Sequence, residues 1–199
     1  AVPVWPDAPK SMIAKIDADG KMIEDGIVTE DGYVVNHVLS RNKPYPPKSD
    51  TSKLLPSQTM PTIGDKLSEK NISWAWYSEG WDDAVAGKKN NFAYNHEPFL
   101  YFAQYEEGTE GRKHLKDQND FIKAAKEGSL PSVSFVKPGG GNDEHPGGSA
   151  VYSSEQLAVN LINAVLEGPN AKDALVILTY DEFGGFFDHV TPPVIDRWG

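Results

Sequence analysis

The chain has no cysteine among its 199 residues. Disulfides, zinc-thiolate sites and cysteine nucleophiles are therefore excluded. It also lacks any apolar run near the roughly 20 residues that a membrane-spanning helix needs. No N-terminal signal peptide is visible, but a mature secreted protein would have lost one, so location stays open. Cationic residues are few, with 19 Lys and Arg against 29 Asp and Glu, for a net charge of −10. Such a surface repels a phosphate backbone, so nucleic acid is not an expected partner. A bound metal can still invert the field locally and let an acidic protein handle an anionic group. Two sequence patterns are missing as well. There is no Gly-x-Ser-x-Gly and no Gly-x-x-x-x-Gly-Lys-Ser/Thr, so neither a nucleophile elbow nor a phosphate-cradling P-loop is present. The glycines Gly139 to Gly141 lie too far from the next helix start to form a dinucleotide fingerprint.

What is present divides unevenly. The length fits one domain, or part of a larger one. Residues 1–60 read as irregular, because Pro3, Pro6, Pro9, Pro44, Pro46, Pro47 and Pro56 break any long helix. Lys15-Ile16 and Tyr33 to Val35 suit short strands, and Asp17 to Gly20 suits a turn. The proline-rich stretch from Lys43 to Lys48 reads as a surface excursion rather than a linker, since ordered-looking segments continue on both sides.

From residue 61 to 199 the rhythm becomes α/β. The segment Ile63 to Lys70 suits a helix after Pro61. Ile72, Trp74 and Trp76 alternate with Ser73, Ala75 and Tyr77, the period of a half-buried strand. The stretch from Lys113 to Lys126 is mixed in charge and reads as a solvated helix face, with a helix at Asn119 to Gly128 closed by its glycine. Ser132 to Val136 is a strand between prolines. A glycine-rich loop follows and contains Asn142-Asp-Glu-His145. Ser153 or Ser154 is placed to cap the next helix. That helix carries its apolar face on Leu157, Leu161, Ile162, Val165 and Leu166. The run Ala174-Leu-Val-Ile-Leu178 then predicts a buried strand at Leu175 to Thr179. Residues 132–179 thus form a β-loop-α-β unit, which joins parallel strands. Sites in parallel sheets lie beyond the strand carboxyl ends. His145 and the acids Asp181 and Glu182 are therefore expected at one edge of the sheet.

Adjacent carboxylates repel one another unless a cation or proton lies nearby. Asp181 and Glu182 are either a polar strand end or oxygen ligands, suited to calcium, magnesium or manganese, with zinc or iron admitted if histidine joins. Gly184-Gly185 gives the chain freedom to turn both toward one ion. His145 is either an idle surface histidine or a group that holds a phosphoryl oxygen or protonates a leaving group. His189 follows Asp188 and is a ligand, a partner behind a ligand, or a core histidine. His96 lies among aromatics, in a pocket wall or in the core. His37 and His114 read as solvated. Trp74, Trp76, Tyr77 and Trp81 read as core, with an aromatic wall for a quaternary ammonium group as the alternative.

Several motifs point the same way. Pro131-Ser-Val-Ser-Phe-Val-Lys-Pro138, Asn142-Asp-Glu-His-Pro-Gly147 and Thr179-Tyr-Asp-Glu-Phe-Gly-Gly-Phe-Phe-Asp-His-Val-Thr-Pro-Pro193 resemble the bacterial phosphoesterase family of acid phosphatases and non-zinc phospholipases C. Pro61 to Leu67, Ser73-Trp-Ala-Trp-Tyr77 and His96-Glu-Pro-Phe99 match its pattern too. The resemblance runs from about residue 30 to the end. It implies an alkaline-phosphatase-like α/β sandwich with a mainly parallel sheet flanked by helices. It implies metal-dependent hydrolysis of a small phosphoester, outside the cytoplasm as a secreted or periplasmic enzyme. By resemblance, Asp181 and Glu182 bind a divalent metal (calcium, zinc, magnesium or iron), and His145 is catalytic. His96, His145 and Tyr77 contact substrate, and Asp188 and His189 stand behind the site. The phosphatase branch on phosphomonoesters is the leading expectation. Phospholipase C on phosphocholine lipids is the alternative, and a non-catalytic metal- or phosphate-binding fragment is a third reading.

The sequence departs from the family pattern in three places. It lacks the acidic-Asn pair that helps hold the metal. It lacks the Ser or Thr nucleophile in a segment ending Pro-Asn-Arg. Its loop reads Asn-Asp-Glu-His where the pattern has Asn-Glu-His, so a displaced loop is expected around His145. The chain is therefore expected to be an interior segment of a larger phosphoesterase domain, inactive alone, with the remaining fragments of the same precursor as partners.

Overall fold

The computed structural model describes residues 2–3, 15–16, 22–24, 33–34, 39–49, 51, 54–182, 184, 187 and 189–191. Seven strands and four helices are described, in the order β1 (Val2–Pro3), β2 (Lys15–Ile16), β3 (Met22–Glu24), β4 (Tyr33–Val34), α1 (Ile63–Glu69), β5 (Trp74–Ser78), α2 (Trp81–Val85), β6 (Leu115–Asp117), α3 (Gln118–Glu127), β7 (Val133–Lys137) and α4 (Val151–Leu166). The N-terminal strands form two small antiparallel pairs, β1 with β4 and β2 with β3. The turn expected at Asp17 to Gly20 and the residue His37 lie outside the described residues.

The central sheet is three-stranded and all parallel, in the order β6-β5-β7. Trp76 faces Leu115 on one side and Phe135 on the other. This is the expected α/β class with a parallel sheet flanked by helices. One expectation fails in its detail. β5 is not half-buried, because both of its faces are covered, as parallel strands require. Trp74 and Trp76 pack on one face with Phe99, Tyr105 and Leu115. Ala75 and Tyr77 pack on the other with Phe121 of α3 and Leu161 of α4. Ring centroids of 5.1 Å for Trp74–Phe99 and 4.7 Å for Phe99–Tyr105 make the first face an aromatic cluster. Each such pair adds about 0.5–1.5 kcal/mol beyond area burial. Trp74, Trp76 and Trp81 are thus core.

Three further differences have local causes. The Lys113–Lys126 stretch is not one helix face, since Leu115–Asp117 is a strand and Leu115 is buried between its neighbours. Asp117 then caps α3, its side chain accepting from Asn119 N. The cap of α4 is Ala150, not a serine. The hydroxyls of Ser153 and Ser154 instead donate back to the Ala150 carbonyl at 2.9 and 3.1 Å. Finally, the run at Leu175 to Thr179 forms no strand or bridge among the described residues, and Leu175 and Ile177 are 84% and 77% exposed. It enters the fold where Asn170 Nδ2 donates to Gly128 O, beside the C-terminus of α3. It finishes with the Tyr180 hydroxyl near Glu144, in the loop after β7. The run therefore travels in the same direction as β7 without joining its ladder, among the described residues.

α1 shows how local sequence fixes an element. Thr62 Oγ1 accepts from Asp65 N, and Thr62 N donates to Asp65 Oδ2 at 2.6 Å, which completes a capping box. The same hydroxyl lies 2.7 Å from Tyr105 Oη, tying the helix to the aromatic core. Thr62→Ala is expected to cost about 1–2 kcal/mol of stability, read as a lower urea midpoint. An unchanged midpoint would show that the box contributes nothing.

Residues 39–49 pack on the domain rather than bridging to another one. Asn42 Nδ2 donates to Leu100 O at 2.7 Å, and Arg112 Nη2 donates to Lys43 O at 2.7 Å.

Candidate functional site

β5 and β7 end side by side, with Ser78 opposite Lys137. Two chain segments meet beyond those ends. One is the loop that follows β7, Gly139 to Gly148. The other is residues 90–96, which closes with a 3-10 turn at Tyr94–His96. Between them lies a cleft of about 430 Å³, lined by Phe92, Tyr94, His96, Asp143 and His145 among others. The two histidines picked out in the sequence thus share one cavity, although they lie 49 positions apart in the chain.

The loop is held by a residue that the sequence reading missed. Glu79 is the first residue beyond β5, and its carboxylate gathers three donors. Gly139 N reaches Oε2 at 2.9 Å, Asn142 Nδ2 spans both oxygens at 2.8 and 3.0 Å, and Asn91 Nδ2 reaches Oε1 at 3.0 Å. Asn91 adds its own clamp, accepting from Gly140 N through its backbone and from Gly141 N through Oδ1, both at 3.0 Å. The argument applied to Asp181, an acid at a strand carboxyl end, would have found Glu79 as well.

His145 is exposed. Its Nδ1 lies 3.0 Å from Pro146 O. A carbonyl only accepts, so Nδ1 carries the proton and Nε2 is the atom left to face a ligand. His96 is 28% exposed, and its Nδ1 stands 3.9 Å from Asp143 Oδ2. Glu97, the next residue, is fully buried. Ser78 Oγ donates to its Oε2 at 2.9 Å, and Trp76 Nε1 donates to that same hydroxyl at 2.8 Å. Burial pushes the Glu97 carboxyl up to about 8, against the opposing effects of the Ser78 and Phe99 hydrogen bonds and the Arg112 charge. Burial in turn lowers Arg112, with Glu97 and Glu107 opposing it. Arg112 also lies over the Trp81 ring, at 4.7 Å.

The remaining candidates are placed as follows. Tyr77 does not reach the cleft. It is 2% exposed and packs edge-on against Phe121, because it points from β5 toward α3 and α4. His114 is not solvated: it stacks on Trp74 at 4.1 Å, and its Nδ1 lies 2.8 Å from Trp74 O. Asp181 and Glu182 are exposed, and Glu182 Oε2 accepts from Gly184 N at 2.6 Å. Tyr180 lies near Glu144, in the same loop as His145, and that carboxylate raises the Tyr180 hydroxyl pKa. His189 meets Phe187 edge-on at 5.1 Å, and Asp188 lies outside the described residues.

The fit to a metal can be judged from these donors. Asp181 and Glu182 offer hard oxygen atoms, the type that divalent cations such as calcium or magnesium take. Among the described residues, no group of three or more His, Asp or Glu side chains gathers about one point. The pair fits a divalent ion in kind.

The fold and cleft define an α/β protein with an imidazole-lined pocket at the carboxyl ends of parallel strands. The profile of the Phosphoesterase family matches residues 6–198, and the chain belongs to that family. It is 34% identical to non-specific phospholipase C6 of Arabidopsis thaliana over 82 residues, covering 38% of this chain and 16% of that protein. It is 25% identical to non-specific phospholipase C3 of the same plant over 177 residues, 84% of this chain and 30% of that protein. An acid phosphatase of Aspergillus niger is 27% identical over 133 residues, 63% of this chain and 31% of that protein. The chain thus spans no more than about a third of the length of these relatives.

Proposed function

We propose that the protein hydrolyses phosphoric esters, with phosphomonoesters as substrates in the manner of an acid phosphatase. The observation that carries this reading is the convergence of His96 and His145 on one cleft beyond the carboxyl ends of β5 and β7. Imidazole groups so placed can donate to phosphoryl oxygens and protonate a departing alcohol. In this reading a serine or threonine hydroxyl, supplied by further polypeptide of the enzyme, attacks phosphorus. The bond to the ester oxygen breaks, the attacking hydroxyl's proton passes to solvent, and His145 in its imidazolium form gives the departing oxygen a proton from Nε2. Water then cleaves the phospho-enzyme to release phosphate. Asp181 and Glu182 would help to hold a divalent cation, which when bound offsets the negative charge that develops on oxygen. A secreted or periplasmic location is part of the same proposal.

The lipid alternative loses support from the structure. Trp74 and Trp81 are 4% and 5% exposed and Trp76 packs into the same cluster, so none offers a face to a choline group.

The test uses the enzyme that contains this chain, with p-nitrophenyl phosphate and phosphatidylcholine as substrates. Turnover of the monoester, its loss on chelation, and a fall of about 10²–10⁴-fold in His145→Ala are expected. Equal activity in that variant would overturn the role of His145. Preferential cleavage of the lipid would reverse the choice of substrate, and activity insensitive to chelator would remove the metal.

A further inference from the structure

The loop acid Asp143 has no part in the reading above, and the structure gives it a use. Its side chain is only 5% exposed. One carboxylate oxygen, Oδ1, accepts from His145 N at 3.1 Å and from Ser149 Oγ at 3.2 Å. The other, Oδ2, faces His96 Nδ1 at 3.9 Å. One side chain therefore holds the backbone of one cleft histidine and opposes the ring of the other. All three residues line the same cavity.

We propose that Asp143 is a positioning residue that couples His96 to His145 and sets the pair to receive a phosphoryl oxygen. The proposal rests on the phosphoester reading above for its ligand, but not for its geometry. A carboxylate shielded from water beside Nδ1 favours a proton on that atom. The carboxylate favours the ring orientation that presents Nδ1 to it, which leaves Nε2 for whatever occupies the cleft. The imidazolium form carries a second proton on Nε2 and can donate it to an anionic oxygen. The Oδ1 contacts meanwhile keep the His145 backbone within reach. Asp143 therefore ties the loop to residues 90–96 across the cleft.

Two substitutions separate this role from a plain loop tether. In Asp143→Asn the amide oxygen still accepts from His145 N and Ser149 Oγ, but the Asp143 charge that faces His96 is gone. In Asp143→Ala both functions go. The first readout is the imidazole nitrogen spectrum of the protein without phosphate. Asp143→Asn is expected to shift the His96 ring signals and leave those of His145 in place, whereas Asp143→Ala shifts both. The second readout is a titration with inorganic phosphate, in which Asp143→Asn should weaken binding by roughly tenfold, about the difference between a charge-assisted and a neutral hydrogen bond. In the enzyme, KM for p-nitrophenyl phosphate should rise by a similar factor, with kcat changed less than about twofold. His96 signals in Asp143→Asn that superimpose on wild type would overturn the coupling, as would unchanged phosphate affinity in a wild type that binds phosphate. If wild type gives no response to phosphate, the phosphoester reading fails, and the phosphate-free His96 signals alone decide whether Asp143 holds that ring.

Discussion

Replacing Glu97 with glutamine is expected to abolish a pH dependence of stability that wild type shows between about pH 4.5 and 8. The folded-state carboxyl titrates at about 8 against an ordinary value of 4.5. Below both values the group is protonated in folded and unfolded chains alike, and its contribution is fully present. As pH rises past the lower value, the unfolded chain releases its proton while the folded chain keeps it. The folded state then binds more protons, so stability falls with rising pH until the buried group itself ionises. The slope approaches about 1.4 kcal/mol per pH unit in the middle of that window. Glutamine keeps an oxygen for the Ser78 hydroxyl and has no proton to lose. Urea midpoints at pH 5, 6.5 and 8 for both proteins provide the measurement. The difference between the two curves is expected to slope steadily, and parallel curves would mean that the carboxyl ionises normally. The cause is physical: Glu97 is fully buried, and among the described residues its Oε1 meets no donor. An ionised carboxylate in that position would be costly.

Gly139→Ala is expected to remove phosphate binding by at least about tenfold and to cost about 1–3 kcal/mol of stability. A Cβ at this position would stand 2.1 Å from Asn91 O, a backbone atom that cannot swing aside. Relieving the clash means moving the loop away from Asn91. That movement breaks the Gly139–Glu79 and Gly140–Asn91 hydrogen bonds that hold Asp143 and His145 over the cleft. Gly140→Ala is the matched control, because its Cβ would meet nothing within 4 Å. Calorimetric titration with inorganic phosphate should separate the two variants. If both behave like wild type, the close approach of loop and Asn91 does not hold the site.

Much of the framework was legible because the local signals were strong. The helix after Pro61, the strand before Pro138 and the glycine at the end of α3 are set by residues that leave the backbone few options. The histidine cleft was legible in part. Both residues were picked out, but what joins them is a set of contacts between residues 79, 91 and 139–149, and no sequence period encodes contacts of that range. Tyr77 was misjudged because alternation along a strand shows which residues share a face and not what covers each face. β6 was missed because three residues within a charged stretch carry no periodic signal. The run at Leu175 to Thr179 has every local mark of a buried strand, yet the ladder that would bury it is not among the described residues. Strand composition reports suitability for pairing; a neighbour has to provide it.

That run has a consequence for how the protein behaves in solution. Ala174 to Tyr180 is a stretch of seven uncharged residues without proline, rich in aliphatic side chains and open to solvent. Segments of this composition pair with copies of themselves and seed aggregation. Charges lie on both sides of it, Lys172 and Asp173 before and Asp181 and Glu182 after. These are the gatekeepers that flank unavoidable sticky strands. The acid pair lies where its negative charge would oppose such pairing between copies of this chain.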